Sequence, residues 1–576
     1  MSPVRVVTIG VFFSKNTSPN WHMFPSGKSR LGIAVTNTLG ARFDLNHTAA
    51  VVSMSTAPTA LRDLKLPAVG NEASENGAEG RSGGIVSDTL ATGVMFALGL
   101  TVLQRLLGFV RGILFCRWMT PEELGQFSLL SGGLMMLAPL AVLGLPGTFG
   151  RFVEHYTQAG QLHAYLARIG RVSLVMTLGL ASLMVLLPEF FGWLLLGETE
   201  HPHLIWLTAG CLLAVAWCNY LTSLVEALRQ VRLASLMRFV ISTTFLIGGL
   251  GLLWGLTART EAALFAFGLS SLLGALPAWW YLRQRSSVIK ASSRPLPGRE
   301  LWLRVLPFAA WWWFSNLLHN SYELADRYLL IWFSKLGVAE VQAAVGQLHS
   351  AKVLPVLVVN VAGMLSGMLL PFLSAALVRG EPEQASKQLN WTLKLAAVAL
   401  VGINHLILCT APWLFGQLLQ GRYAEGLELL PLATAGCSWM CLMTVSQDWL
   451  WARERGKLAV LALGCGLVVT LVIGGLSIPT HGAWGSLLAT LFGSLTSLGL
   501  VAWFNEQTGC HHDRGVWIGF LLPLLALVGP GLGACGVVLV VYLALQTNWY
   551  FSRPERQQLA EKMTAQLQRF RPNSAQ

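Results

Sequence analysis

Residues 90–116 read LATGVMFALGLTVLQRLLGFVRGILFC, an apolar run broken by two arginines, Arg105 and Arg111. About 20 apolar residues suffice to cross a hydrocarbon core of roughly 30 Å as a helix. The run does not alternate, so it is no barrel strand, and lipid cannot satisfy an open backbone; a membrane-spanning helix is the economical reading. Similar runs follow at about 124–148, 168–191, 204–226, 237–257, 262–282, 305–333, 345–377, 391–413, 427–450, 457–478, 482–504, 515–530 and 532–551. The chain is therefore expected to be an all-α integral membrane protein with about fourteen transmembrane helices. Pro523, Pro530 and nearby glycines leave two short spans or one re-entrant hairpin open for 515–551.

Composition agrees. Of 576 residues, 54% are apolar and 12% charged, where soluble domains carry roughly one quarter charged. The net charge of +12 could suggest a nucleic-acid partner, but Lys and Arg lie between the apolar runs rather than in one basic domain. Arg151, Arg168 and Arg171 follow the second run, Arg229, Arg232 and Arg238 the fourth, and Arg283, Arg285, Lys290, Arg294, Arg299 and Arg304 the sixth. The intervening connections hold almost none. Because Lys and Arg in short loops resist translocation, this alternation predicts an even number of spans with both termini in the cytoplasm.

Residues 1–88 differ from the rest: Val6 to Phe13 is too short to span, and 70–84 is an aperiodic Gly/Ser/Glu/Asn stretch. They are expected to form a disordered cytosolic extension. The nine cysteines lie mostly inside apolar runs without paired spacing, and Cys510-His511-His512-Asp513 has no second ligand cluster. Neither a metal nor another cofactor is expected. No nucleotide-binding loop, nucleophile elbow or paired catalytic carboxylate with a soluble domain occurs, so the chain is not expected to be an enzyme. Any energy for transport would come from an ion gradient, the membrane potential or the substrate's own gradient.

An internal repeat is also visible. Glu122 to Phe127, with Gly125-Gln126, matches Glu340 to Leu348, with Gly346-Gln347, at a shift of about 220 residues. Two six-helix halves would then run through the membrane in the same sense.

Charge inside a span is expensive and marks candidate sites. Arg105 and Arg111 fall on adjacent faces of the first span; facing a cavity they would bind an anion such as a diphosphate, whereas near an interface they would snorkel. Asn316, Asn320, Glu323 and Arg327, spaced 4, 3 and 4, form one stripe on span seven, flanked by His319 and Asp326. That stripe is either a self-neutralised face, Glu323 against Arg327, or a hydrophilic wall of a transport path with Glu323 or Asp326 taking a coupling cation. Lys352 and Asp448 are read as interfacial snorkellers near span ends, and Trp311-Trp312-Trp313 as interfacial anchors or packing.

Arg105-Leu106-Leu107-Gly108-Phe109-Val110-Arg111, followed by Trp118-Met119-Thr120-Pro121-Glu122-Glu123-Leu124-Gly125-Gln126-Phe127, resembles the first helix and outer loop of the polysaccharide (O-antigen type) flippases of the multidrug/oligosaccharidyl-lipid/polysaccharide exporter superfamily. Gly147 to Arg151, Asp326-Arg327, Pro371 to Gly380 and Gly421-Arg422-Tyr423 follow in the expected order, and the resemblance covers about residues 88–510. In the related lipid II flippases an acidic residue follows the Gly-Phe-x-Arg segment, whereas Gly112 stands here.

The resemblance implies two six-helix lobes around a central cationic cavity, alternating between inward- and outward-facing forms, with undecaprenyl-diphosphate-linked oligosaccharide carried across the bacterial inner membrane. Arg105 and Arg111 would hold the diphosphate, Arg151 would receive it at the cytoplasmic mouth, and the span-seven stripe would face the glycan. The division expected is an N-lobe at 89–284, a linker at 285–304, a C-lobe at 305–506, two further spans at 507–551 and a basic tail at 552–576. Implied partners are the lipid-linked substrate, membrane lipid, a polysaccharide polymerase and glycosyltransferases. Two alternatives stand: a cation-coupled multidrug exporter of the same superfamily, and a non-transporting scaffold of a glycan-synthesis complex.

Overall fold

A computed structural model describes residues 90–255, 259–285, 296–547, 549–553, 555–557 and 561; the N-terminal extension expected at 1–88, half of the linker and most of the tail lie outside them. Among the described residues the fold is all-α. The helices are α1 (Leu90–Trp118), α2 (Pro121–Ala141), α3 (Phe149–Gln158), α4 (Leu162–Leu186), α5 (Pro188–Leu196), α6 (Pro202–Ala227), α7 (Val231–Gly255) and α8 (Arg259–Gln284). After the linker come α9 (Gly298–Phe333), α10 (Val338–Val378), α11 (Pro382–Trp413), α12 (Ala424–Ser446), α13 (Asp448–Ala452), α14 (Gly456–Gln507), α15 (Arg514–Leu521) and α16 (Pro530–Gln546).

Ten of these helices are long and apolar enough to cross a membrane. Two of the remaining passes follow from geometry. The 52-residue α14 folds back at Gly482, whose φ of 53° and ψ of −127° are open to glycine. Small residues of its two halves then face each other, Gly466 against Ser497, Gly493 against Thr470 and Gly474 against Ala489, so one half descends as the other rises. The 36-residue α9 carries the polar stripe and packs along α14 and α2. At the C-terminus, α15 runs into a 3-10 stretch, Leu522–Val528, and α16 returns after Gly529; both pack on α11.

Helices α1, α2, α4, α6, α7 and α8 pack with one another, as do α9 to α12 and both halves of α14, giving two six-helix lobes. Gly125 and Gly346 let the lobes touch where α2 crosses α10. A Cβ on Gly125 would lie 1.8 Å from the Gln342 carbonyl oxygen, and one on Gly346 1.8 Å from that of Pro121. The two contacts exchange under the 221-residue shift between the glycines, so the repeat seen in the sequence is a pseudo-twofold crossing. Around it, Gln126 donates to Gln342 at 2.9 Å, and Gln342 donates to Glu198 at 2.9 Å. Tyr423, fully buried, donates to the Met119 carbonyl at the end of α1 at 3.0 Å. The α1–α2 end of the molecule is thus closed.

Along α1 and α10 close contact gives out toward the opposite end. A Cβ on Gly112 would meet Val353 at 3.2 Å, but one turn back, on Gly108, and further along α10, on Gly363 or Gly367, it would meet nothing within 4 Å. On the other flank α9 stays attached, with Trp312 and Trp313 packed against the Gly144 to Gly147 turn.

Burial also exposes a lysine the sequence reading passed over. Lys394 of α11 is fully buried, and its ammonium bonds Asp513 at 2.7 Å and Glu555 at 2.6 Å. This ties the start of α15 and the C-terminal segment to the C-lobe, aided by Tyr550 donating to the Lys394 carbonyl. Breaking a buried pair costs about 3–5 kcal/mol; with Asp513 45% exposed, Lys394→Met is expected to cost about 2 kcal/mol. The check is a melting temperature lowered by several degrees in detergent, with Asp513→Asn much milder.

Candidate anion site between the lobes

The site grows from a conflict within helices that must satisfy themselves in lipid. Pro139 in α2 has no N–H, which leaves the Met135 carbonyl without its helical donor. Asn320 of α9 supplies one from the other lobe at 3.2 Å, while also donating to Asn316 at 2.8 Å. Two helical turns further on, Arg327 donates to the Ser128 carbonyl at 3.3 Å and Tyr328 to that of Leu129 at 2.9 Å. The stripe thus grips α2, and its arginine is not spent on Glu323. Arg327 Nε is buried without a partner, and Glu323 is exposed.

Arg111 reaches the same region from α1. Its guanidinium lies 4.1 Å from the ring centroid of Phe245, within an aromatic group that includes Phe115, Phe127 and Phe267. Among the described residues no carboxylate pairs with it. His349 of α10 stands within electrostatic reach of Arg111, Arg327 and Lys352 together, and its Nδ1 meets Ser128 Oγ at 3.1 Å. Lys352, one turn from His349, pairs with Asp326, whose side chain is fully buried. Asp326 also accepts from the Arg327 backbone N–H at 2.9 Å, and Ser486 bonds its carbonyl at 2.6 Å.

Three cations from three helices, with one buried carboxylate among them, leave the interface net positive. A guanidinium on an aromatic face keeps its N–H edge available for a forked oxyanion. The centre has room to gain from an anion rather than from a cation.

Not every expected residue joins. Arg105 is exposed and feels Arg238 of α7 instead, itself paired with Glu226. Arg151 is exposed on α3 at the far end, its guanidinium 5.1 Å from the Phe308 ring centroid. Lys352 and His349 were missed as site residues. Lys352 is no end-of-span snorkeller, because α10 begins at Val338, seven residues before the span was drawn. Asp448 is buried too, accepting from Ser366 at 2.7 Å. Near the C-terminal hairpin, His512 Nδ1 faces Asn390 at 2.9 Å, and burial pushes its imidazole down to about 4; no metal-type cluster occurs among the described residues.

Two six-helix lobes meeting at a cationic centre define the fold. The solved structures most informative here share it at low identity. A lipid II flippase, MurJ, in an inward closed conformation is 15% identical with a TM-score of 0.61, over 82% of this chain and 97% of that one. An inward-facing multidrug resistance MATE family transporter of the MOP superfamily is 13% identical, TM-score 0.55, over 78% and 98%. A eukaryotic MATE transporter is 12% identical, TM-score 0.52, over 76% and 98%. Comparison with curated proteins finds no sequence match. Residues 90–378 match the polysaccharide biosynthesis protein family, and the chain belongs to that family.

Proposed function

We propose that the protein is a flippase for undecaprenyl-diphosphate-linked oligosaccharide, working by alternating access in the bacterial inner membrane to feed surface polysaccharide, such as lipopolysaccharide. One observation carries the reading: Arg111, free of any described carboxylate partner, converges with Arg327 and Lys352 at the interface of the lobes. A diphosphate is the membrane-borne anion whose forked oxygens suit paired guanidinium groups.

The basic connections all fall at the α3 end, so positive charge places that end, with both termini, in the cytoplasm. The closed α1–α2 end then faces the periplasm. The substrate headgroup enters where α1 and α10 part, meets Arg151 and Arg105 first, and is passed to Arg111 and Arg327, while Asn316 and Asn320 bond the glycan once the lobes separate. The polyprenyl chain stays in lipid, and α15 and α16 offer it an apolar flank. Coupling falls to the acids of α9: Asp326 is already held by Lys352, which leaves Glu323 the open one, for a proton rather than a metal ion. A polysaccharide polymerase and glycosyltransferases are the partners this role calls for.

The deciding experiment is mass spectrometry of lipids copurifying with the detergent-solubilised protein, wild type against Arg105→Ala, Arg111→Ala. A polyprenyl-diphosphate glycan enriched in the wild type and lost from the double variant supports the reading; equal lipid in both sinks it. A cation-selective multidrug exporter fits poorly with a net-positive centre. A scaffold would keep surface polysaccharide normal after charge reversal at both arginines.

A further inference from the structure

Asp326 and Lys352 sit on consecutive helices, the carboxylate fully buried and the ammonium 17% exposed. A carboxylate held inside a membrane bundle needs a counter-charge, and here the chain itself delivers one. Beside the pair is a cavity of about 20 Å³ bordered by Tyr322, Glu323, Lys352, Cys437, Thr490 and Ser494. That is room for one water or one bare alkali cation. Oxygen donors are what hard cations take, and here they are the Glu323 carboxylate and three hydroxyls, with Tyr322 donating to Ser494 at 3.0 Å; Asp326 does not line the cavity and reaches its edge through Lys352. Lys352 occupies its edge.

We propose that Lys352 is a tethered counter-cation: it fills, as part of the chain, the place a dissociable alkali ion would otherwise take at Asp326. The C-lobe centre is then charged throughout the transport cycle, and no metal ion loads or leaves there. Lys352 on α10 and Asp326 on α9 move as one unit with the lobe, so the cationic centre is not diluted when the lobes rock apart. This inference goes beyond the flippase reading and does not depend on the substrate.

The test is the melting temperature of the purified full chain, followed by tryptophan fluorescence, in choline, sodium, potassium or lithium chloride at equal ionic strength. The wild type is expected to melt at one temperature in all four salts. Lys352→Met is expected to melt lower in choline and to be raised about 3 °C or more by at least one alkali cation, as a ligand that binds only the folded state requires. Asp326→Asn, Lys352→Met should be blind to salt. A wild type that an alkali ion stabilises, with the effect lost in Asp326→Asn, would overturn the proposal, as would a folded, salt-blind Lys352→Met. If Lys352→Met does not accumulate, the double variant decides: recovery of wild-type yield supports the tethered ion, and failure to recover refutes it. None of these readouts involves the glycan lipid, so they stand apart from the copurification experiment.

Discussion

Arg111→Glu is expected to abolish glycan export while leaving the amount of protein in the membrane unchanged. A charge-assisted hydrogen bond contributes about 1.5–3 kcal/mol, and roughly 1.4 kcal/mol is a factor of ten. Arg111→Ala should therefore lower export roughly 10- to 100-fold. Glutamate should do worse, because it replaces attraction to a diphosphate with repulsion beside it. Folding should survive either change, since the guanidinium rests on Phe245 without a carboxylate partner left behind among the described residues. Surface polysaccharide and an immunoblot of membranes are the two measurements. Normal polysaccharide with normal protein would remove the diphosphate role. Arg151→Ala, out on α3, serves as the contrast and should cost less than about threefold, the scale of an exposed charge.

The second large effect belongs to the crossing of α2 and α10. Valine at Gly125 would drive its Cβ into the Gln342 carbonyl, and at Gly346 into that of Pro121. Backbone cannot yield as a flexible side chain can, so the lobes must separate. Overpacking costs about 1–3 kcal/mol, enough to move a two-state population roughly tenfold or more toward the form open at this end. Either substitution should cut export by at least tenfold. Gln342, 1% exposed, offers the readout: in a background without native cysteines, Gln342→Cys should resist an impermeant thiol reagent, and adding Gly125→Val should make it react. Full export together with a protected thiol would show that the crossing tolerates the extra carbon.

What could be read in advance followed physical scale. Apolar runs and the alternation of basic loops report on lipid and on translocation, and both act on single segments; hence the helices and the two lobes were legible. The stripe on α9 was also legible, from spacing alone, although its partners were not: that Asn320 relieves a carbonyl orphaned by Pro139 depends on a helix some 180 residues away. Lys352 was misread because a span drawn by hydropathy began at 345, which put the lysine near a membrane surface. The helix begins a full two turns earlier, and the charge sits well inside. Lys394 gave no signal because its two acids arrive from the far end of the chain.

The crossing has one further property. Gly125 meets Gln342 as Gly346 meets Pro121, so each half presents the same patch to the other. This is the isologous contact of a symmetric dimer, here made within one polypeptide. A self-complementary seam of that kind needs no second, matching surface to arise: a single six-helix unit with one glycine could have closed it against its own copy, and fusion then freed the rest of each half to diverge. Outside the seam the halves differ: at the same shift Arg111 falls on Trp332 and Lys352 on Ser131.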